Sequence, residues 1–198
     1  MQKTWYSLLT IAVVAAIGCA EPGERGREQM PAGAERTGPE GTAGREGAGV
    51  TREARDFIEA AVADGLAEVE LGRLAQERAS DPEVKTFAER MIRDHRRAHD
   101  QLARLAAQLN VPAPPALEED QRDLVDRLSK LKGGEFDREY IEAMIDDHEK
   151  AVDRFEEMAK ADGPPELVSF ASSTLPTLRE HLQEAERIQQ RLERRRAS

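Results

Sequence analysis

Cysteine is nearly absent from this chain of 198 residues, because Cys19 is the only one. A single cysteine cannot form an internal disulfide, so the folded part of the protein must be stable on its hydrophobic core. Long apolar runs are scarce too. The most apolar stretch, residues 8–17, is too short to span a bilayer as a helix, and the sequence predicts no membrane span elsewhere.

An excess of positive charge is also missing. The chain has 29 Lys and Arg residues against 39 Asp and Glu residues, which gives a formal net charge of −10. An acidic protein lacks the basic surface that nucleic acids require, so we expect no nucleic-acid partner. The same balance argues against adsorption of the folded domain to anionic lipid.

The sequence motifs of common enzymes are absent. The chain has no glycine-rich phosphate loop, no nucleophile elbow around a serine, and no cysteine nucleophile in its folded part. We therefore assign no catalytic residue and no cofactor-binding loop. The sequence favours a protein that is not an enzyme.

The N-terminus predicts a lipoprotein signal peptide over residues 1–18. Lys3 gives a small positive charge, an apolar run follows, and the sequence Ala-Ile-Gly-Cys over residues 16–19 resembles a bacterial lipobox. In such a motif the cysteine, here Cys19, becomes the lipidated first residue. The alternative is an ordinary cleaved signal with an incidental cysteine. Ala20 rather than aspartate after the cysteine favours the periplasmic face of the outer membrane.

Residues 19–51 predict a flexible tether behind the lipidated cysteine. Residues 20–50 contain eight glycines and three prolines and almost no large apolar side chain. Such a segment cannot bury enough surface to offset the entropy of ordering it. A flexible chain of this length has a mean reach of roughly 30 Å, which suits a domain held away from a membrane.

An internal repeat organises the rest of the chain. Residues 57–64 return as residues 140–147, and residues 82–88 return as residues 165–171, both at an offset of 83 residues. Each copy holds two predicted helices, so an all-α, antiparallel four-helix bundle over residues 52–195 follows from a duplicated helix pair. No segment shows the alternation of a strand.

Apolar residues at helical spacing place the four long helices. The predicted helices run over residues 52–79, 82–109, 136–160 and 165–194. Asn110 is expected to stop the second helix in a left-handed conformation, and Pro176 to kink the fourth. Residues 118–131 predict further helix, and the pattern leaves open whether it is separate or an extension of the third helix.

Four polar side chains fall near the middles of the four long helices, on or beside their apolar faces. They are Glu68, His95, His148 and His181. Mid-helix positions of an antiparallel bundle share one layer, so we expect these residues to meet in the core. Residues 87–102 also match residues 140–155 at seven of sixteen positions. Val152 stands there in the place of His99, which makes His99 the weakest candidate of the four histidines.

Two interpretations of this layer stay open. Three imidazoles and a carboxylate could hold a divalent transition metal such as zinc, iron or copper, with Met91 and Met144 as soft neighbours. Alternatively, neutral histidines hydrogen-bonded to Glu68 or to each other form a metal-free polar layer. A di-iron oxidase site is disfavoured, because it needs glutamate three residues before histidine, and these positions hold isoleucine or leucine. Asp94, Asp147 and Glu180 directly precede the histidines and suit a solvated flank or a hydrogen-bond partner of the site.

The chain resembles a bacterial family, domain of unknown function 4142. The similarity rests on the block Glu68-Val-Glu-Leu-Gly72, on residues 87–95, on Phe136-Asp-x-x-Tyr140 with residues 144–148, and on Leu175-Pro-x-x-x-x-His181. The resemblance implies a ferritin-like bundle and an envelope location, and it implies no activity.

Two functions follow as expectations. The favoured one is a non-enzymatic binding or structural module of the cell envelope, anchored by lipid on Cys19 and contacting an envelope protein. The alternative is a metal-binding protein for storage, sensing or redox chemistry, with Glu68, His95, His148 and His181 as ligands.

Overall fold

The computed structural model describes residues 50–114 and 116–197, and this part of the chain is all-helical. The predicted signal peptide, Cys19 and nearly all of the predicted tether lie outside the described residues. Five helices follow one another: α1 (Arg52–Arg78), α2 (Pro82–Gln108), α3 (Glu119–Ser129), α4 (Gly133–Lys160) and α5 (Pro165–Ala197). The predicted fold class is confirmed, and no strand occurs in the described residues.

Local sequence signals set the helix ends. The Thr51 side chain accepts a hydrogen bond from Ala54 N at 3.2 Å and caps α1. Asp81 caps α2 in the same way, accepting from Glu83 N at 2.9 Å, with Pro82 at the first helical position. Asn110 follows α2 with a φ of 55°, which confirms the predicted left-handed stop.

The long helices form a bundle with one long crossover. Asp137, near the start of α4, binds the turn between α1 and α2, and Arg191, near the end of α5, binds the same turn. Helix α4 therefore starts, and α5 ends, where α1 ends and α2 starts. We call this the clamped end and the opposite one the far end. Residues 109–132 cross from the far end to the clamped end, as in ferritin-like bundles, so that neighbouring long helices are antiparallel.

The crossover contains a helix of its own. Residues 118–131, which the sequence left undecided, form the separate helix α3, which packs on α1 and α4. Only Leu128 of α3 is fully buried. Helix α4 begins at Gly133, earlier than the predicted Phe136, and Gly133 has a φ of 62° that other residues rarely adopt.

Two apolar clusters fill the bundle, one on each side of the histidine layer. The cluster at the clamped end includes Phe87, Met91, Phe136, Tyr140 and Met144. The cluster at the far end includes Phe57, Leu102, Phe155, Leu167 and Phe170. The polar layer lies between them and is the break in an otherwise apolar core. Within the described residues, no helix has the length and apolar character needed to cross a membrane.

A polar clamp joins three parts of the chain at the clamped end. The buried Asp137 carboxylate accepts from Ser80 N at 3.0 Å, Ser80 Oγ at 2.6 Å and Asp81 N at 3.0 Å. Asp81 in turn accepts two hydrogen bonds from Arg191, both at 2.9 Å, and one from Arg195 at 2.8 Å. The sequence did not predict this clamp, which the structure adds.

Candidate metal centre

The structure brings the four predicted site residues into one layer. Glu68 comes from α1, His95 from α2, His148 from α4 and His181 from α5, and their exposed fractions are 4%, 6%, 0% and 0%. Each helix thus contributes one polar side chain at mid-length. Their convergence agrees with the prediction from helical position, while metal binding stays a prediction.

The three imidazoles form a compact group. Their ring centroids are 5.4 to 5.5 Å apart in all three pairs. One ring nitrogen from each of His95, His148 and His181 lies within 4.8 Å of the others. His99 is not in this group. Its half-buried ring lies on the same face of α2 as His95, with Nδ1 3.7 Å from Asp100 Oδ1.

The hydrogen bond of His148 fixes its tautomer. Nδ1 lies 2.8 Å from the carbonyl oxygen of Met144 in the buried interior. A carbonyl can only accept, so Nδ1 carries the hydrogen, and in the neutral ring Nε2 carries the lone pair. Burial lowers the pKa of His148 to about 4, so the ring is neutral at physiological pH.

Glu68 orients His95 from outside the group of rings. Its Oε2 lies 2.5 Å from His95 Nδ1, and its Oε1 lies 3.5 Å from His148 Nδ1. Burial raises the pKa of Glu68 to about 7, and burial lowers the pKa of His95 to about 4. When Glu68 is ionised it accepts from His95 Nδ1–H, and the lone pair of His95 is then on Nε2.

Asp94 orients His181 in the way that Glu68 orients His95. The Asp94 Oδ2 atom lies 3.2 Å from His181 Nε2 and also faces Arg90 at 3.4 Å. Burial opposes ionisation of Asp94, but the hydrogen bond from His181 and the charge of Arg93 prevail and lower the pKa of Asp94. The ionised carboxylate accepts, so His181 donates from Nε2 and carries its lone pair on Nδ1. Burial lowers the pKa of His181 to about 4.

The remaining nitrogen of each ring is without a partner. Among the described residues, no hydrogen bond reaches His95 Nε2, His148 Nε2 or His181 Nδ1, and all three atoms are buried. In the tautomers just given, each bears a lone pair, so the rings cannot hydrogen-bond to one another. A buried acceptor left unpaired costs about 1–3 kcal/mol. With Glu68 ionised, the layer is therefore hydrogen-bonded on its outer side, to Glu68, the Met144 carbonyl and Asp94, and one nitrogen of each ring stays unpaired.

The acidic residues next to the histidines have different surroundings. Asp94 is the hydrogen-bond partner of His181, which was one of the two roles expected for these acids. Glu180 instead lies on the surface and pairs with Arg90 at 2.6 Å. Asp147 lines a polar cavity of about 200 Å³ that also reaches Glu68. Burial, followed by the charge of Glu68, raises the pKa of Asp147 to about 7.

The predicted methionines lie on one side of the layer. Met91 and Met144 are fully buried in the apolar cluster of the clamped end. On the far side, a second cavity of about 40 Å³ touches His95 and His181. The two faces of the histidine layer therefore differ, with packed side chains on one and free volume on the other.

Comparison with known families identifies the chain. The family described as "Domain of unknown function (DUF4142)" matches residues 40–188. This match covers most of the chain, and the protein belongs to that family, as the resemblance of its sequence blocks predicted. A comparison with curated proteins finds no match.

Solved structures with the same fold exist at low sequence identity. A DUF305 fragment from Deinococcus radiodurans is 19% identical, with a TM-score of 0.64, over 72% of this chain and 98% of that one. CopM in its Cu(I)-bound form is 24% identical, with a TM-score of 0.60, over 69% of this chain and 95% of that one. A DUF305 protein from Streptomyces coelicolor is 14% identical, with a TM-score of 0.58, over 67% and 87%. These similarities concern the fold.

Proposed function

We propose that this member of the DUF4142 family is a non-enzymatic module that binds one transition-metal ion at His95, His148 and His181. The observation that carries the proposal is the set of three buried imidazole nitrogens without partners, one from each ring. Each of them bears a lone pair in the tautomer that its outer hydrogen bond dictates. A bound cation would satisfy all of them at once.

The distances between the ring nitrogens need to decrease only slightly when a metal ion binds. Imidazole ligands lie about 2.0–2.1 Å from zinc and similar ions, so nitrogens on one ion are at most about 4 Å apart. One nitrogen of each ring lies within 4.8 Å of the others, so the rings need to move inward by only roughly an ångström for all three to bind one ion. The hydrogen bonds from Glu68, the Met144 carbonyl and Asp94 hold the rings in the required orientation.

Copper in its monovalent form fits the charge of the site best. The three imidazoles are neutral, and Glu68 is the buried carboxylate beside them, whereas Asp94 already faces Arg90 and Arg93. A monovalent ion and one carboxylate leave the interior neutral, while a divalent ion leaves an excess charge that burial penalises. CopM, which has the same fold, is described in Cu(I)-bound and Cu(II)-bound forms, which supports copper over zinc or iron.

Glu68 balances charge in this proposal instead of binding the ion. Both of its oxygens face the Nδ1 atoms of His95 and His148, on the outer side of the rings. The sequence placed Glu68 among the ligands, and the present proposal keeps it at the site with this different role.

Metal content and thermal stability test the proposal. Protein purified without chelator should contain about one copper per chain. Added Cu(I) at 1,000 times the dissociation constant should stabilise the fold by about 4 kcal/mol, which raises Tm by roughly 10 °C. His148→Ala should abolish both effects, and His99→Ala, on a histidine outside the group, should leave them unchanged. Metal-free protein with a Tm indifferent to copper, zinc and iron would reduce the layer to a structural role.

The proposed location is the periplasmic face of the outer membrane, with lipid on Cys19 as the anchor. The lipobox-like sequence before Cys19 supports the lipid anchor. The description of the Streptomyces neighbour as a candidate secreted protein supports only a location outside the cytoplasm. Membrane fractionation of the wild type and Cys19→Ser tests the anchor. Release of the variant alone is expected, and equal distribution of the two proteins would contradict lipidation. An envelope protein is the proposed partner of the acidic helical surface.

A further inference from the structure

The cavity on the far side of the histidine layer has an apolar character. It has a volume of about 40 Å³ and touches His95 and His181. Most of its wall comes from small or apolar side chains on all four long helices, among them Ala61, Ala98, Leu102, Phe155 and Leu178. The apolar part of such a wall favours an apolar guest.

The size of the cavity limits what it admits. A water molecule needs roughly 10–15 Å³ of such volume, so about 40 Å³ holds a molecule of two or three heavy atoms and excludes an organic substrate. Half-buried residues also line it, including Asp64, His99 and Thr177, so the cavity extends towards the surface. A small molecule therefore reaches the histidines through side-chain motions, without unfolding of the bundle.

The charges around the cavity select against anions. Asp64, Glu68 and Asp94 all contribute to its lining. Asp64 and Asp94 are already paired with arginines, and the described lining contains no lysine or arginine, so an anion such as azide, cyanide ion or halide finds no cationic side chain in the wall. An uncharged molecule needs none. The favoured guest is a small, uncharged, apolar molecule.

We propose that this cavity is a binding site for a small uncharged diatomic molecule, of the size of dioxygen or carbon monoxide, next to His95 and His181. The inference rests on the proposed function, because three imidazole ligands leave a coordination position open to such a molecule. Met91 and Met144 are fully buried on the other side of the layer, so the open position would face the cavity.

Carbon monoxide is the probe for the copper-loaded protein. The full chain carrying one Cu(I) should show a single infrared band of bound carbon monoxide. Ala98→Leu fills the cavity from α2 and should weaken carbon monoxide binding at least tenfold while copper content stays at one per chain. Ala103→Leu, a half-buried alanine on the same helix that does not line the cavity, is the matched control and should bind like the wild type.

Xenon tests the cavity without any metal. Xenon-129 NMR of metal-free protein should report binding that Ala98→Leu removes and Ala103→Leu leaves intact. If Ala98→Leu fails to fold, as judged by circular dichroism, Ala61→Leu fills the same cavity from α1. Copper-loaded protein that shows no carbon monoxide band, or the same affinity in the filled variants, overturns this inference alone. Protein that binds no copper overturns the proposed function, and the coordination part of the inference falls with it.

Discussion

The two ends of the bundle are held together by different interactions. At the clamped end, two buried carboxylates, Asp81 and Asp137, join the α1–α2 turn to the start of α4 and the end of α5. At the far end, the described helices meet through apolar packing and surface ion pairs such as Arg179 with Glu156. The apolar cavity also lies on the far side. The difference suggests that one end fixes the helices, while the other keeps the histidine layer accessible.

Among variants that compare the two ends, Asp137→Ala is expected to have the largest effect on the unfolding free energy. The change leaves Ser80 N, Ser80 Oγ and Asp81 N without their buried acceptor, and it should cost about 3 kcal/mol of unfolding free energy. Urea denaturation measures the loss. Asp123→Ala, on an exposed acid of α3, is the control and should change stability by less than about 0.5 kcal/mol.

Equal losses from the two alanine variants would contradict a special role for the clamped end. Asp137→Asn sharpens the test, because the amide keeps one acceptor oxygen. It should recover part of the stability that Asp137→Ala loses.

A smaller and pH-dependent effect is expected from Asp81→Asn. The hydrogen bonds from Arg191 lower the pKa of Asp81 from 3.8 to about 2. A lowered pKa means that the carboxylate stabilises the fold above pH 3.8, and that this contribution is lost as the pH falls through about 2. The buried ion pair is therefore worth about 2 kcal/mol at neutral pH.

The measurement compares urea unfolding of the wild type and Asp81→Asn between pH 7 and pH 2. The gap between them should be about 2 kcal/mol at pH 7 and should close towards pH 2. Asparagine still caps α2, so loss of the cap does not confuse the result. A gap that stays constant over this pH range would show that the charge of Asp81 does not stabilise the clamp.

The smallest effects come from two glycines of α1, and their signs should be opposite. A Cβ on Gly72 would lie 2.8 Å from Ile92 Cγ1 and 3.3 Å from the Ala88 carbonyl oxygen. A Cβ on Gly65, beside the cavity, would have His99 Cβ as its nearest neighbour at 3.8 Å. Gly72→Ala should destabilise the protein by about 1–2 kcal/mol, because α1 and α2 are in close contact there.

Gly65→Ala should stabilise the protein by up to about 1 kcal/mol, because alanine favours the helix and has room. Thermal unfolding of the two single variants measures whether the two stability changes have opposite signs. Destabilisation of similar size at both positions would mean that the far side is packed as tightly as the clamped side.

The features predicted from the sequence are those with a local or periodic signal. The repeat at an offset of 83 residues and the helical spacing of apolar residues predicted the bundle, and mid-helix position predicted the meeting of Glu68 with the three histidines. The clamp could not be predicted, because its partners are 56 to 114 residues apart in sequence and no periodicity relates them. Helix α3 stayed undecided because a polar segment that buries only Leu128 has no clear apolar face.

The hydrogen-bond partners of the histidines could not be predicted from the sequence either. Asp94 precedes His95 in sequence yet binds His181 on another helix. Which carboxylate forms a hydrogen bond with which imidazole depends on how the helices are rotated about their axes. The apolar pattern of a single helix does not predict that rotation.

The division of the histidines between the two helix pairs has a consequence for folding. The first pair, α1 and α2, contributes Glu68 and His95, and the second, α4 and α5, contributes His148 and His181. Contacts within each pair are local in sequence, whereas docking of the pairs must close the chain over residues 109–132, so we expect the pairs to dock after they form. Neither pair alone contains all three rings. The complete layer therefore exists only when the two pairs are docked, and an ion bound there would hold the two pairs together.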